Sequence, residues 1–254
     1  MKKEIEIAVS PQVAFTPELL DKEILNLAGI QAENEVFVHK LKRSVDARGR
    51  EVLVRVKADI YLSPPPISVT GFAVDYKQVQ DKKAVVIIGA GSAGLFAALR
   101  CIELGYKPIV LERGKDVKSR RRDLAAINKE HIVNPESNYC FGEGGAGTYS
   151  DGKLYTRSKK RGDVQRILHL LVHHGATPEI LFDAHPHIGT NKLPVLISAI
   201  RKQIIDCGGE VRFDTKVTDF VIKNNEVKAV IAASGDEIDA EAFVLATGRA
   251  VGAD

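Results

Sequence analysis

The chain contains 254 residues, of which 44% are hydrophobic and 27% are charged. This length and balance predict one large α/β domain, or a small domain followed by a medium-sized one, with enough apolar residues for a buried core. The formal net charge of +3 at pH 7 is too close to neutral to indicate nucleic acid binding by itself.

The sequence favours a protein of the reduced cytoplasm without a membrane segment. No apolar run is long enough to cross a bilayer, and Glu4 and Glu6 interrupt any hydrophobic region of a signal peptide. The cysteines lie far apart and form no C-x-x-C pair, which argues against a zinc ribbon and against a dithiol redox centre. We therefore expect free thiols and a cytoplasmic location.

Residues 1–75 are expected to form a separate small domain. EIEIAV alternates as a strand does, and TPELLDKEILNLAGI has helical spacing, with Thr16 as a candidate N-cap and Gly29 as the stop. EVFVHKLKRSV and EVLVRVKADIYL alternate on either side of DARGR, which predicts a hairpin. The prolines of SPPPIS then predict an extended linker. This β-α-β-β unit carries no catalytic pattern, so a docking role and a purely structural role both stay open.

A second domain is expected over residues 76–254. KKAVVIIGAGSAGLFAALRCIELGYKPIVLERG predicts a strand, a glycine turn, a helix and a second strand. The first strand is apolar throughout, as a strand of a parallel sheet buried on both faces must be. A later helix, a run of short alternating segments from Val217 to Ile238, and the apolar strand AFVLATG complete the domain.

The glycine turn has the pattern G-x-G-x-x-G, formed by Gly89, Gly91 and Gly94 with Ser92 and Ala93 between them. The first glycine permits a sharp turn, the second lets a pyrophosphate approach the backbone, and the third allows close packing of helix and strand. Amide groups at the helix N-terminus can then bind phosphates. Glu112 ends the second strand and can accept hydrogen bonds from adenosine ribose hydroxyls. The sequence therefore predicts a dinucleotide site.

A second glycine-rich stretch, GTYSDGKL, differs from a P-loop by one residue. Gly147, Gly152 and Lys153 fall on the P-loop pattern, but Leu154 occupies the position of the hydroxyl that holds magnesium. No apolar strand precedes it. We therefore predict that the glycines of FGEGGAGTYSDGKL let the backbone approach the far end of a long dinucleotide.

From Lys82 to Gly248 the chain resembles the flavoprotein superfamily that includes glutathione reductase and p-hydroxybenzoate hydroxylase. The resemblance rests on the glycine turn followed by GLFAAL and the Glu112-Arg113 pair, on the short strands after Val217, and on AFVLATG. More narrowly, ESNYCFGEGGAGTYSDGKL and AHPHIGTNKL resemble a family of bacterial FAD-dependent proteins named NAD(FAD)-utilising dehydrogenases. The small N-terminal unit also suits that family.

The resemblance implies that FAD is bound, with NADH or NADPH as the candidate electron donor. It assigns the adenosine-diphosphate half to the glycine turn, Glu112 and Arg113, and the region beside the adenine to the strands that begin at Val217. It assigns the ribityl and flavin end to Gly144, Gly145, Ala146, Gly147 and the following SDGK, and another cofactor contact to Ala246, Thr247 and Gly248. A Rossmann domain that binds NAD alone explains neither the short strands nor the Ala-Thr-Gly motif.

The sequence departs from that superfamily after Gly248. Members continue with a substrate portion and a later Gly-Asp segment that returns to the flavin, whereas this sequence stops at Asp254. We therefore expect a truncated form, or the first half, of a flavoenzyme.

Several basic and histidine clusters have more than one interpretation. Lys115–Asp123 predicts a solvated basic helix face, although one of Arg120, Arg121 or Arg122 could contact the FAD pyrophosphate. A second basic run covers Arg157–Asp163, but it contains no aromatic residues that would stack on bases. His169 and His173 are four residues apart on a predicted helix, but they lack a third ligand at metal spacing, so we predict no metal site.

The candidate catalytic residues are Lys153, His185 and His187. A lysine near flavin N1 would stabilise the negative charge that develops on reduction. Either histidine, in the loop AHPHIGTNK, could protonate a reduced product. A role in holding the loops together is the alternative for all three.

The sequence thus predicts an α/β protein: a Rossmann-like FAD-binding domain with a parallel sheet and a β-meander, preceded by a small β-α-β-β domain. The leading function is an FAD-dependent oxidoreductase, or its FAD-binding half, which passes hydride between a nicotinamide nucleotide or organic substrate and flavin. A flavin-binding interaction or sensing module without turnover, and a flavin-dependent nucleic-acid modifying protein, are the alternatives. We expect a small-molecule substrate and neither a membrane nor a nucleic acid partner; the sequence identifies neither the substrate nor the oligomeric state.

Overall fold

The computed structural model describes residues 2–31, 36–66, 71–154, 156 and 162–248. The chain divides into two compact units, one formed by Met1–Ala73 with Lys153–His187 and the other by Val74–Gly152 with Ile188–Asp254.

The strands and helices are numbered in chain order over the described residues. The strands are β1 Lys2–Val9, β2 Phe37–Asp46, β3 Leu53–Tyr61, β4 Ala84–Ile88, β5 Lys107–Leu111, β6 Glu210–Arg212, β7 Val217–Lys223, β8 Glu226–Ala232, β9 Glu237–Asp239 and β10 Ala242–Leu245. The α-helices are α1 Pro11–Ala14, α2 Pro17–Ala28, α3 Ser92–Leu104, α4 Val117–Glu130, α5 Val164–His173 and α6 Leu193–Asp206. Short 3-10 helices cover Gly145–Gly147 and Pro178–Leu181.

The first unit contains an antiparallel sheet in the order β1-β3-β2. Its core joins alternate residues of β1 and β3 to the apolar face of α2, as Val56 and Leu20 illustrate. The predicted order of strands and helix is confirmed, and Gly29 ends α2 in the left-handed conformation at φ 69°. Thr16 occupies the N-cap position without a capping bond from its side chain; its Oγ1 donates to the carbonyl of Gln12 at 2.8 Å.

Residues 153–187 lie with this first unit rather than with the rest of the predicted 76–254 domain. Two contacts illustrate the grouping: the amide of Arg43 donates to the carbonyl of Phe182, and the rings of Phe72 and His169 stack. A boundary near residue 75 stays a prediction. The sequence could not indicate this grouping, since the partners are separated by about a hundred residues or more of chain.

The second unit contains a parallel sheet in the order β10-β4-β5-β6. On one face, Val86, Ile88, Ile109 and Leu111 form a core with residues of the antiparallel meander β7-β8-β9. Helix α3 packs on the opposite face, where Ile87 lies beneath Gly94. The predicted fold class, with a parallel sheet and a meander, is confirmed.

None of the helices in the described ranges combines the length and the apolar composition that crossing a bilayer requires.

Candidate functional site

The glycine turn lies between β4 and α3, at the carboxyl ends of the parallel strands. Gly89 has φ 106°, and its amide donates to the carbonyl of Leu111 at 2.7 Å. A Cβ at Gly89 would lie 2.7 Å from the carbonyl oxygen of Ala246. Only glycine therefore fits here, because both its conformation and its close approach to the end of β10 exclude a side chain.

Gly94 brings helix α3 against the turn. A Cβ at this position would lie 1.9 Å from the carbonyl oxygen of Gly89, which is far inside van der Waals contact. The glycine pattern therefore has the packing role that the sequence predicted for its third member.

Gly91 has a different environment from its two neighbours in the pattern. It has φ −70° and ψ −178°, and a Cβ built on it would meet nothing within 4 Å. Ser92 and Ala93 follow as the first residues of α3, where backbone amides have no acceptor within the helix. The open space at Gly91 is thus what a bound pyrophosphate requires, and the residues present fit such a group.

The second glycine-rich segment lies directly beside the first. Gly144 forms a parallel bridge with Gly91, and its amide donates to the carbonyl of Ala90 at 2.8 Å. A Cβ on Gly145 would lie 3.5 Å from the Cα of Gly91, and Gly145–Gly147 form a short 3-10 helix that includes Ala146. The structure therefore brings together two glycine-rich segments that are about fifty residues apart in the sequence.

Arg120 of α4 holds this second segment in shape. Its side chain is fully buried and donates to the carbonyls of Asn138, Tyr139, Gly142, Glu143 and Gly145 and to the hydroxyl of Thr148. The suggestion that Arg120 reaches a pyrophosphate is therefore not supported, because all three of its nitrogens have backbone acceptors. Burial lowers the pKa of its guanidinium.

Glu143 supports the same segment from a buried position. Its Oε2 accepts from the amide of Val117 at 2.8 Å and from Nη1 of Arg201 at 3.1 Å. Among the described residues its Oε1 is buried without a hydrogen-bond partner. Burial raises the pKa of this carboxyl. The sequence analysis did not identify Arg120 and Glu143 as buried supports of this segment. One signal was present for Arg120, because its spacing from Val117 and Leu124 puts all three on the buried face of α4.

We expect Arg120→Met to disorder residues 138–148 and to lower the free energy of unfolding by about 3 kcal/mol or more, because several buried carbonyls would lose their donor. Amide hydrogen exchange would show faster exchange at Glu143 and Gly145. Arg122→Met is the matched control, since Arg122 is exposed on the same helix. Wild-type exchange in the Arg120 variant would contradict the assigned role.

Glu112 is buried at the end of β5 and binds backbone amides of three segments. Its Oε2 accepts from Ala90 at 2.8 Å, and its Oε1 accepts from Gly114 at 2.9 Å and from Gly142 at 3.0 Å. A carboxylate has about four acceptor sites, so one site remains for a ribose hydroxyl. The predicted ribose contact stays a prediction, and the structure adds a structural role that the sequence did not indicate.

Arg113, which directly follows Glu112, and Val217, which begins β7, make contacts of other kinds. Nε of Arg113 donates to Glu136 at 2.5 Å, and its guanidinium lies 4.1 Å from the ring centre of Phe141. The hydrogen bond from Arg113 lowers the pKa of Glu136. Val217 packs against the core between sheet and meander. Their predicted contacts with the adenosine half stay predictions.

The Ala-Thr-Gly segment follows β10, the edge strand beside β4. The amide of Ala246 donates to the carbonyl of Ile88 at 2.9 Å, so this segment continues the parallel pairing up to the glycine turn. Thr247 is half-buried, and Gly248 has φ 71°. The structure thus places the motif at the same sheet edge as Gly89, although its contact with a cofactor stays a prediction.

Lys153, His185 and His187 lie together in the first unit. With Pro186 they line a cavity of about 440 Å³, and Lys153 and His187 form an antiparallel bridge. The structure therefore brings together the three residues that the sequence singled out as catalytic. Their roles at a flavin stay predictions.

Three of the clustered histidines take part in ring contacts. His169 stacks on Phe72 with ring centres 4.8 Å apart, and His173 lies edge-on to His174 at 5.1 Å. No group of three or more histidine, cysteine, aspartate or glutamate side chains is arranged to hold a metal within the part of the chain that was placed. Most of the basic run at Arg157–Asp163 lies outside the described residues.

The stretch Gly147–Leu154 does not have the architecture of a P-loop. The short 3-10 helix Gly145–Gly147 leads into it where a strand would be required. Lys153 lies in a β-bridge with His187 rather than at the start of a helix. The prediction against a P-loop is consistent with this geometry.

Comparison with known proteins identifies two segments of the chain. Residues 84–125 match the family model described as an FAD binding domain. This segment contains the glycine turn, α3, β5 and Glu112. Residues 1–61 match a model described only as a domain of unknown function, and that match covers β1 to β3.

Curated proteins and solved structures are similar to parts of the chain. A protein of Clostridium beijerinckii named "Uncharacterized protein" is 32% identical over 246 residues, which are 91% of this chain and 46% of that protein. The thiamine thiazole synthase of Aeropyrum pernix is 26% identical over 148 residues, 58% of this chain and 42% of that protein. The chain thus spans less than half the length of both relatives.

The solved structure is that of OTEMO in complex with FAD and NADP. It is similar at 16% identity and a TM-score of 0.40, over 65% of this chain and 26% of that one.

Proposed function

We propose that the chain is the FAD-binding portion of an FAD-dependent oxidoreductase that passes hydride between a nicotinamide nucleotide, or an organic substrate, and flavin. The observation that carries the proposal is the open space at Gly91, bordered by Gly144 and Gly145 of the second glycine-rich segment. The match of residues 84–125 to an FAD binding domain supports FAD as the occupant.

The chain's own residues would bind and orient the cofactor. The amides at the start of α3 would meet the pyrophosphate, and the remaining acceptor site of Glu112 would bind a ribose hydroxyl. Arg120 would keep the second glycine-rich segment beside the first by binding its carbonyls. Bound FAD supplies the hydride chemistry, so the protein contributes orientation, electrostatics and exclusion of water.

The cavity lined by Lys153, His185 and His187 is the proposed site for a small-molecule substrate. A lysine ammonium and two imidazoles offer N–H donors to oxygen atoms, which suits an anionic or carbonyl-containing molecule. A nicotinamide nucleotide as electron donor, a cytoplasmic location and the absence of nucleic acid and membrane partners remain part of the proposal.

The visible absorption spectrum of the purified protein, recorded without oxygen before and after addition of NADH or NADPH, tests the proposal. We expect a flavin spectrum that bleaches with one of the two nucleotides. A stable flavin spectrum with both nucleotides and with candidate substrates would favour a flavin-binding module without turnover. Failure to bind added FAD would contradict the proposal.

A further inference from the structure

The outer edge of β2 is paired at one point with a segment far along the chain. Among the strands of the described ranges, the order β1-β3-β2 leaves one edge of β2 without a strand partner in its sheet. At this edge the amide of Arg43 donates to the carbonyl of Phe182 at 2.8 Å, and the amide of Ala184 donates to the carbonyl of Arg43 at 2.9 Å. Arg43 thus forms a parallel bridge with Asp183.

The side chain of Arg43 binds the same segment a second time. Its Nε donates to Oδ1 of Asp183 at 2.7 Å, and its Nη2 donates to Oδ2 at 3.1 Å. Its Nη1 donates to the carbonyl of Ala14 at 3.1 Å, at the end of α1. A planar guanidinium that forms two parallel bonds with one carboxylate fixes both the distance and the angle between the two groups, which a lysine cannot do.

Two aromatic rings lie against the guanidinium of Arg43. The guanidinium carbon lies 4.5 Å from the ring centre of Phe15 and 5.0 Å from that of Phe182, and Arg43 is only 9% exposed. Low exposure strengthens both the charged hydrogen bonds and the cation–π contacts.

A β-bulge sets the direction in which Arg43 points. The pairing of β2 with β3 shifts by one residue between Lys40 and Lys42, after which Arg43 lies opposite Val56. A one-residue shift exchanges the two faces of a strand. The bulge therefore determines that Arg43, rather than a neighbouring residue, lies on the buried side of the hairpin.

The anchored segment continues directly into the cavity. His185 and His187 follow Asp183 by two and four residues and line the cavity with Lys153. The far end of the segment is fixed as well, because the amide of Leu154 donates to the carbonyl of Pro186 at 2.8 Å. We propose that the N-terminal domain is a positioning platform and that Arg43, acting through Asp183, is the positioning residue that sets the placement of His185 and His187.

Residues 1–61, which match a domain of unknown function, would thereby have a role in positioning the two histidines. This role rests on the proposed function only for what the cavity binds. Within the described residues the side chain of Arg43 donates to Asp183 and to the carbonyl of Ala14, so it acts on the histidines through the backbone between Asp183 and His187.

NMR of protein labelled with ¹³C-histidine tests the proposal without flavin or turnover. His185 and His187 are assigned among the seven histidines by His→Gln variants. We expect Arg43→Lys and Asp183→Asn to displace the imidazole signals of His185 and His187 and to leave that of His131 in place. Amide exchange at Ala184 should become about tenfold faster, because the charged anchor of its hydrogen bond is lost.

Arg48→Lys is the matched control. Arg48 makes a similar fork with Asp46 on the same hairpin, but its side chain is 83% exposed, so its loss should leave all the histidine signals unchanged. Unmoved His185 and His187 signals in folded Asp183→Asn protein would overturn the proposal. Should Arg43→Lys fail to fold, the Asp183 variant decides alone, since its side chain is 27% exposed and asparagine keeps its shape. A failure of the oxidoreductase proposal would appear separately, in the absorption spectrum.

Discussion

A Gly91→Val protein is expected to fold and to lack bound FAD. A valine side chain at this position meets no protein atom near its Cβ, because nothing lies within 4 Å, and φ −70° is an ordinary conformation for an L-residue. The added methyl groups would fill the space proposed for the pyrophosphate. Circular dichroism and thermal unfolding would measure the fold, and the ratio of visible to ultraviolet absorption would measure bound flavin.

Two variants serve as controls for this experiment. Gly49→Val adds the same side chain in the first unit, where its Cβ makes an ordinary contact at 3.6 Å, and should retain FAD. Gly94→Ala should lower stability by about 3 kcal/mol or more, because its Cβ would lie 1.9 Å from a backbone oxygen. FAD at wild-type stoichiometry in the Gly91 variant would show that the glycine turn does not bind the cofactor.

Glu112→Ala is expected to lower both stability and FAD affinity. The carboxylate accepts from the amides of Ala90, Gly114 and Gly142, and each buried amide left without an acceptor costs about 1–3 kcal/mol. We expect a loss of about 3 kcal/mol or more in the free energy of unfolding without flavin. Loss of the proposed ribose contact should weaken FAD binding by about 1–3 kcal/mol.

Urea unfolding of the flavin-free protein and titration with FAD separate the two effects. Glu112→Gln should be intermediate, because its amide oxygen can still accept while its NH₂ group faces amide donors. Glu226→Ala is the control, since Glu226 is an exposed carboxylate that pairs with the exposed Lys228. An unchanged dissociation constant would remove Glu112 from the cofactor site, and an unchanged unfolding free energy would contradict its three hydrogen bonds.

The glycine turn could be predicted because its requirements are local. Gly89, Gly91 and Gly94 lie within six residues of one another, and their roles follow from the turn between a buried strand and a helix. The same is true of the β-α-β-β order of the first unit, where alternation and helical spacing report burial directly.

The burial of Arg120 could not be predicted from the residues next to it in the sequence. A basic residue in KDVKSRRRD is expected on a solvated face, yet Arg120 is fully buried. Its acceptors come from residues 138–148, and such partners are determined by how a loop folds over the helix. Its neighbours Arg121 and Arg122 have the same chemistry and stay exposed.

The sequence by itself determined which segments form strands and which form helices. It also determined the glycine turn and the residues worth testing. All of these depend on spacings of a few residues. The tertiary structure alone decided which distant segments meet: Gly144 with Gly91, Lys153 with His187, and Asp183 with Arg43. Each of these contacts joins elements separated by a loop or a helix, and its energy comes from hydrogen bonds and burial that exist only once the chain is folded. The sequence therefore predicts which residues belong to the site, and the fold determines how those residues are arranged in space.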